Sequence, residues 1–290
     1  MVKRKSLNQD SVPYTVFKVF NVTLMLLIVT VIMIPLLKII IDSFDGKASE
    51  TIFRLLPADF TVDAYKLIFS RPAILRPLLI SLFTTITGSI IAMTVTALYA
   101  YGLAQRDLPG RGFFMNIALI TMVFQAGMIP LFLVVNKLGL MNNLFAVMLV
   151  HAMDAYYLIL LKNFFEGIPR SIFDAAEIDG CSPIQTFLRI VLPLSKPGLA
   201  AIGLFYIVFF WNQFFDFILY IQTKPELHNF QVFLRSLVIE TDTQGLEGFS
   251  FASQSLKNSA ITVSIIPVLV LYPFVQKHFV KGINLGGVKG

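Results

Sequence analysis

Few side chains in this sequence can do chemistry, and those inside long apolar stretches are the ones to weigh first. His151 and Asp154 lie about one helical turn apart within the apolar stretch 143–161. Ionisable groups at membrane depth are expensive and point to function, so the pair could relay a proton. The simpler reading is a hydrogen-bonded pair, or a polar spot on a cavity wall that Tyr156 and Tyr157 would extend. A second constellation occupies 198–222, where Asn212, Gln213 and Asp216 lie among Phe205, Tyr206, Phe209, Phe210, Trp211, Phe214, Phe215, Phe217 and Tyr220. Aromatic faces beside amide and carboxylate groups suit a sugar ring, which has an apolar face and hydroxyl edges. Packing between subunits plus an apolar gate is the competing use, because so many rings cannot all face one cavity. Trp211, Asn212, Gln213, Asp216, Asp154 and Tyr157 are the resulting candidates for a substrate pathway.

The chemistry that the sequence lacks narrows the function further. It has no paired catalytic acids, no nucleophile–base set and no Cys/His cluster, and Cys181 is its single cysteine. Catalysis, a metal site and an internal disulfide therefore have nothing to build on. A G-x-x-x-x-G-K-S/T phosphate loop is also missing. Gly282 and Gly287 have its first spacing, but Val288 comes next. The chain is expected to be no enzyme and to hold no cofactor of its own.

Apolar helices must position these groups. Of 290 residues, 56% are hydrophobic and 14% charged, against about 25% charged in soluble domains, which marks an integral membrane protein. A crossing needs about 20 mostly apolar residues. Segments 16–41, 77–104, 112–135, 143–161, 198–222 and 258–279 qualify, giving an all-α fold of six transmembrane helices. The opening MVKRK before an apolar run resembles a signal peptide. The run from Val19 to Ile41 is longer than a signal core of about 7–15 residues, so it reads as a retained first helix. Gly88, Ser89, Ala92, Ala97, Ala100 and Gly102 put a close-packing stripe on the second helix.

Orientation comes from the basic flanks. With the N-terminus inside, thirteen Lys and Arg lie on the inner side against ten outside, which places both termini in the cytoplasm. The net charge of +6 is scattered among apolar helices and so reads as orientation, not as a nucleic-acid patch. Residues 1–15 form a cytoplasmic segment, and 16–290 form one membrane domain with an inner loop 162–197 and an inner tail 280–290. The outer loops are 42–76, with FTVDAY (60–65) and a short surface helix to Phe69, then 136–142, and 223–257 with the acidic TDTQGLEGFS (241–250).

The inner loop is built to hold a shape. Pro169 precedes Ser171-Ile-Phe-Asp174, a helix-start signal, and a short helix from about Ile172 to Asp179 comes after it. Gly180 sits where a helix end wants left-handed backbone. Ser182-Pro-Ile-Gln185 then starts a second helix, expected to stop at Pro193. On the first helix Ile172, Phe173 and Ala176 can share one side, with Asp174, Glu177 and Asp179 around the rest. Ala175 and Ala176 offer a low-relief surface to a partner. The helix could instead lie on lipid headgroups, but such helices are usually basic and carry bulky apolar groups.

Asp174-Ala-Ala, three residues, Gly180, nine residues, then Ile190-Val-Leu-Pro193 resembles the cytoplasmic signature of binding-protein-dependent ABC importer permeases. Asp174 stands where that family most often has Glu, and Cys181 where Ala is common. FTVDAY, WNQFFD (211–216) and the ending GINLGGVKG (282–290) are similar to the carbohydrate-importing, maltose-type branch, and to its second permease subunit. Within that branch the likeness is to the subgroup that takes up complex or acidic oligosaccharides. The resemblance implies a coupling helix that fits a cleft in an ATPase subunit, with Asp174, Ala175, Ala176, Glu177, Asp179, Gly180 and Pro193 at the contact. It implies a tail whose Gly286, Gly287 and Lys289 reach the same subunit; without it the tail would read as a frayed end. It also implies a second homologous permease, two ATPase subunits that bind ATP and Mg, an extracytoplasmic solute-binding protein and a carbohydrate substrate, with no nucleic acid. A permease for a non-sugar solute, an ion-coupled secondary transporter and an intramembrane enzyme are the alternatives.

Overall fold

Lipid offers no partner to backbone N–H and C=O groups, so an apolar chain must close its hydrogen bonds within helices. The computed structural model describes residues 12–49, 53–124, 126–239 and 253–286. Most of the segment 1–15, the stretch TDTQGLEGFS, Gly287 and Lys289 lie outside the described residues. Among the described residues there is no strand, only an isolated antiparallel bridge between Asp45 and Phe60. The helices are α1 (Val12–Asp42), α2 (Asp63–Ser70), α3 (Pro72–Ala104), α4 (Arg111–Val123), α5 (Met128–Lys137), α6 (Leu144–Leu149) and α7 (Ala155–Glu166). They continue as α8 (Arg170–Ile178), α9 (Pro183–Thr186), a π turn (Phe187–Val191), α10 (Leu192–Leu194), α11 (Lys196–Asn212), α12 (Phe215–Tyr220), α13 (Phe230–Ile239) and α14 (Ser253–Gly286).

Three of the six expected spans are single long helices, α1, α3 and α14, while the other three are interrupted. The third expected span divides into α4 and α5, whose axes differ by 119°. The fourth divides into α6 and α7 around residues 150–154, and the fifth into α11 and α12 at Gln213 and Phe214. By length and composition, three described helices can cross a membrane, or up to five if two bent pairs, α4 with α5 and Pro183–Leu194 with α11, each count as one crossing. The expectation of uninterrupted spans at 112–135, 143–161 and 198–222 is therefore corrected. Apolar content alone does not register a break that a Gly, an Asn or an Asp cap can create.

The chain forms two compact units. In the first, the loop after α1 is folded around one carboxylate. Asp45 accepts hydrogen bonds from the backbone N–H groups of Lys47, Ala58 and Asp59 at 2.9–3.0 Å, with Arg54 at 3.8 Å. Nearby, Ser259 Oγ donates to the Ser43 carbonyl at 2.9 Å, and the Ser43 and Tyr65 hydroxyls pair at 2.7 Å. The expected surface helix after FTVDAY is present as α2.

In the second unit α3 is the spine, packed against α11 and α7. Its small residues do what the stripe suggested at Gly88, Ser89, Ala92, Ala97 and Ala100, all buried, but not at Gly102, which has no neighbour where a Cβ would stand. Gly88 is required by close approach: a Cβ there would lie 2.8 Å from the Phe210 ring of α11. One core joins Leu103, Leu158, Phe165, Phe187, Tyr206 and Phe210, and a second joins Ile80, Val135, Val147, Phe217 and Tyr220. Asn142, at φ 55°, ties the second core together. Its Oδ1 accepts from Gln222 N and Thr223 N at 2.8 Å, and its own N–H donates to the Tyr220 carbonyl.

Burial pushes the Asp45 carboxyl up, but the three backbone donors and Arg54 outweigh it and hold the group below its ordinary value of 3.8. A carboxylate with a depressed pKa stabilises the fold above its unfolded value and stops doing so as pH falls through the folded value. Protection of the Lys47, Ala58 and Asp59 amides in hydrogen exchange is therefore expected to be level above about pH 5 and to fall below about pH 4. In Asp45→Asn protection should be lower throughout and the acid-dependent fall absent.

Candidate functional site

The helix breaks are where polar side chains gather. At the α6–α7 break, Asp154 is the N-cap of α7, its Oδ1 accepting from Tyr156 N at 2.9 Å and Tyr157 N at 3.0 Å. Its own N–H donates to the Tyr206 hydroxyl of α11 at 3.1 Å, and that hydroxyl is 2.6 Å from Thr96 Oγ1 of α3. One buried phenol thus connects three helices. His151 does not pair with Asp154 as their spacing suggested. Its Nε2 lies 2.6 Å from Asp216 Oδ2 on α12, because the chain between α6 and α7 is not helical and turns the two side chains apart. Gln213 Nε2 donates to the same carboxylate oxygen, and Asn229 Nδ2 donates to the Gln213 carbonyl freed by the α11–α12 break.

The aromatic candidates separate into two groups. Trp211 is buried and its indole N–H donates to the Ser264 carbonyl at 2.9 Å. It borders an apolar hollow of about 390 Å³ between α3, α11 and α14, so its geometry is that of a packing residue. Asn212 is exposed, but its amide donates back to the Val208 carbonyl at 2.8 Å. Tyr157 is half-buried, stacked on Phe205 with centroids 5.5 Å apart and edge-on to Tyr206 at 5.0 Å. Phe214 and Phe215, just past the break, remain exposed.

On the inner loop the structure gives α8 and its turn. The helix starts earlier than its cap signal suggested, with Pro169 at the N-cap and Arg170 leading, so Ser171 does not cap it. Gly180, at φ +73°, supplies the left-handed turn. Ile172, Phe173 and Ala176 face inward, so Ala176 is buried and not part of an open surface; Asp174, Ala175, Glu177 and Asp179 are exposed. Ile178, which the sequence pattern does not single out, is 87% exposed. In the sequence its mark is local, one apolar residue between Glu177 and Asp179. Ser182 and Gln185 form the expected reciprocal cap. The helix it starts does not stop at Pro193. It widens into the π turn, where Leu192 N reaches the Phe187 carbonyl, and runs to Leu194 before an 84° bend at Ser195. The wider turn accommodates a proline ring that would clash with the preceding turn of a regular α-helix.

Ion pairs tie α8 to the turn between α3 and α4, and the end of α7 to α4. Arg170 reaches Asp107 at 3.1 Å and Asp174 at 3.4 Å. Glu166 is gripped by Arg111 at 2.6 Å and Lys162 at 2.7 Å, while Arg111 Nε also donates to the Leu103 carbonyl at 2.8 Å. Tyr101 donates to the Pro183 carbonyl at 3.0 Å and packs on Phe187 at 4.9 Å. A cleft of about 730 Å³ opens between α8 and the ends of α3, α4 and α7, lined by Arg106, Arg111, Glu166, Arg170 and Phe173.

An all-helical membrane chain with interrupted helices, polar groups at the breaks and a braced, acidic loop helix has the construction of a transport subunit. The sequence profile of the family described as binding-protein-dependent transport system inner membrane component matches residues 103–285, and the chain belongs to that family. It is 42% identical over 277 residues to the polygalacturonan/rhamnogalacturonan transport system permease protein YtcP of Bacillus subtilis (strain 168), covering 92% of this chain and 96% of that protein. Protein LplC of the same organism is 39% identical, covering 95% of each chain. Among solved structures, a chain of a bacterial ABC transporter involved in the import of the acidic polysaccharide alginate superposes with a TM-score of 0.87 at 30% identity, over 93% of this chain and 98% of that one. The protein is thus a multi-pass component of the cytoplasmic membrane and a transport subunit, not an enzyme.

Replacing Tyr206 by Phe leaves Thr96 Oγ1 and the Asp154 N–H without their shared partner, at an expected cost of about 1–3 kcal/mol. The measurement is thermal unfolding of the purified protein in detergent. A Thr96→Val, Tyr206→Phe double-mutant cycle should give clear non-additivity, and strict additivity would rule out the shared node.

Proposed function

We propose that this chain is one of two homologous permease subunits of an ATP-driven importer that receives an oligosaccharide from an extracytoplasmic binding protein and delivers it to the cytoplasm by alternating access. Six crossings with both termini inside fit the basic flanks if each interrupted pair, including α6 with α7, counts as one. The observation that carries the carbohydrate assignment is similarity over nearly the whole chain to a polygalacturonan/rhamnogalacturonan permease and to a chain of an alginate importer. ATP and Mg²⁺ are assigned to two separate ATPase subunits, whose closure would rock the permease pair. The ion-coupled alternative needs carboxylates free to take up an ion, whereas Asp154 caps α7 and Asp216 is paired with His151.

Within loop 162–197 we assign α8 and its turn as the coupling element, with Asp174, Ala175, Glu177, Asp179 and Gly180 at the contact and Ile178 as its apolar knob. Support comes from exposure on one side and anchorage on the other. A lever must pass displacement without bending: Arg170–Asp107 ties α8 to the turn after α3, Phe173 and Ala176 pack on its inner side, and Tyr101 holds the Pro183 carbonyl just past its turn. Ala176 and Pro193 act behind the contact, one in the packing of α8 and one at the π turn. Gly286 closes α14, the helix leading into the tail that would reach the ATPase through Gly287 and Lys289.

The test is reconstitution with partner subunits in membranes. Oligosaccharide-loaded binding protein is expected to raise vanadate-sensitive ATP hydrolysis several-fold, and lack of stimulation by any oligosaccharide would sink the carbohydrate assignment. In the same system, Asp174→Lys with Glu177→Lys, or Ile178→Asp alone, should lower stimulated hydrolysis by about tenfold or release the ATPase subunits, since a buried interface anchor contributes about 1–2 kcal/mol or more. Unchanged assembly and stimulation in both variants would remove α8 from the coupling contact.

A further inference from the structure

Helix α13 reads FQVFLRSLVI and carries one charged residue, Arg235. Among the described residues no carboxylate lies within ion-pair distance of it. Arg235 is exposed, so its guanidinium is open to a counter-charge brought by a ligand. Arg235 is aimed: its Cζ stands 5.6 Å from the centroid of the Phe214 ring, at the α11–α12 break. A ring face attracts a cation but does not neutralise it. Phe214 and Phe215 are 38% and 51% exposed, so the rings are open as well as the charge. The polar groups on the other side of the break are already occupied, Asp216 by His151 and Gln213. The groups left open at this site among the described residues are thus the Arg235 cation, the Phe214 and Phe215 rings, and Gln213 Oε1, a buried acceptor without a hydrogen-bond partner.

That set complements a uronic acid unit. The guanidinium fork matches a carboxylate in geometry as well as charge, and an aromatic ring takes the C–H face of the pyranose. Two similar proteins are named for polygalacturonan/rhamnogalacturonan transport and for alginate import, and galacturonan and alginate are both polymers of uronic acids. We infer that Arg235, with Phe214 beside it, recognises the carboxylate of an acidic sugar unit in the transport pathway and so sets the preference for charged over neutral oligosaccharides. The inference rests on the reading that the chain imports an oligosaccharide.

The experiment uses the complete transporter with its binding protein in proteoliposomes. Two probes are compared, an oligogalacturonide and the same oligomer methyl-esterified at every carboxylate. Arg235→Gln should slow uptake of the acidic oligomer about tenfold or more, which is the effect of losing one charge-assisted pair. It should leave the ester, subunit assembly and basal ATP hydrolysis unchanged. Arg235→Lys should restore part of the loss, and Phe214→Leu should raise KM for both probes. Equal loss of both probes in Arg235→Gln, or loss of assembly, would overturn the inference and make Arg235 a partner to a neighbouring subunit or a lipid phosphate. Wild-type uptake of the ester alone would overturn it while leaving oligosaccharide import intact. Wild-type uptake of neither probe, nor of any other oligosaccharide, would remove the underlying reading and this inference with it.

Discussion

An interrupted helix inside a bilayer leaves N–H and C=O groups that lipid cannot satisfy, and this structure depends on how those groups are met. At the α6–α7 break the Asp154 side chain takes two amides of α7 and the Tyr206 hydroxyl takes the Asp154 amide. At the α11–α12 break the Asn229 side chain takes the Gln213 carbonyl, and Asn212 takes that of Val208. Two of these partners, Asp154 and Asn212, are local, while Tyr206 and Asn229 are placed by packing elsewhere. The breaks are therefore stable only when α3, α7 and α11 are seated against one another. The same requirement explains why α3 carries Gly88 and Ala92 where α11 presses on it.

Irregular backbone at membrane depth is tolerated where it is buried in protein or lines a cavity. Here the breaks gather Asp154 with Tyr206 at one point and His151, Gln213, Asp216 and Asn229 at the other. The result is a polar seam through an apolar chain, flanked by exposed rings. The inner loop is held differently. Its helix is short and acidic on its open side, and is held by the packing of Phe173 and Ala176 together with the Arg170–Asp107 ion pair.

Much of this is legible in the sequence. Apolar runs give α1, α3 and α14 closely, and cap chemistry gives the Ser182–Gln185 box and the Gly180 turn, because those signals are local. The breaks are not legible, since hydropathy averages over them and the partners that stabilise them come from distant positions such as Asn229 and Tyr206. For the same reason spacing pairs His151 with Asp154, its neighbour along a supposed helix, when the folded chain brings Asp216 from 65 residues away. Trp211 reads as a candidate ligand-facing ring and is buried in the fold with its indole N–H on the Ser264 carbonyl, because sequence gives the identity of an aromatic group but not its azimuth once the helix ends one residue later. Arg235 is in sequence only one more charge on the outer side, and acquires meaning from the ring beneath it.

The π turn at Phe187–Val191 has a consequence for how this segment can change over generations. A π turn is an α-helix with one residue too many. Losing that residue would restore a regular ladder but rotate α8 and α9 by about 100° relative to α10 and α11. Tyr101 would then face a different part of α9, and the loop helix would be turned away from its braces. The length of the segment 183–194 is therefore fixed to the residue.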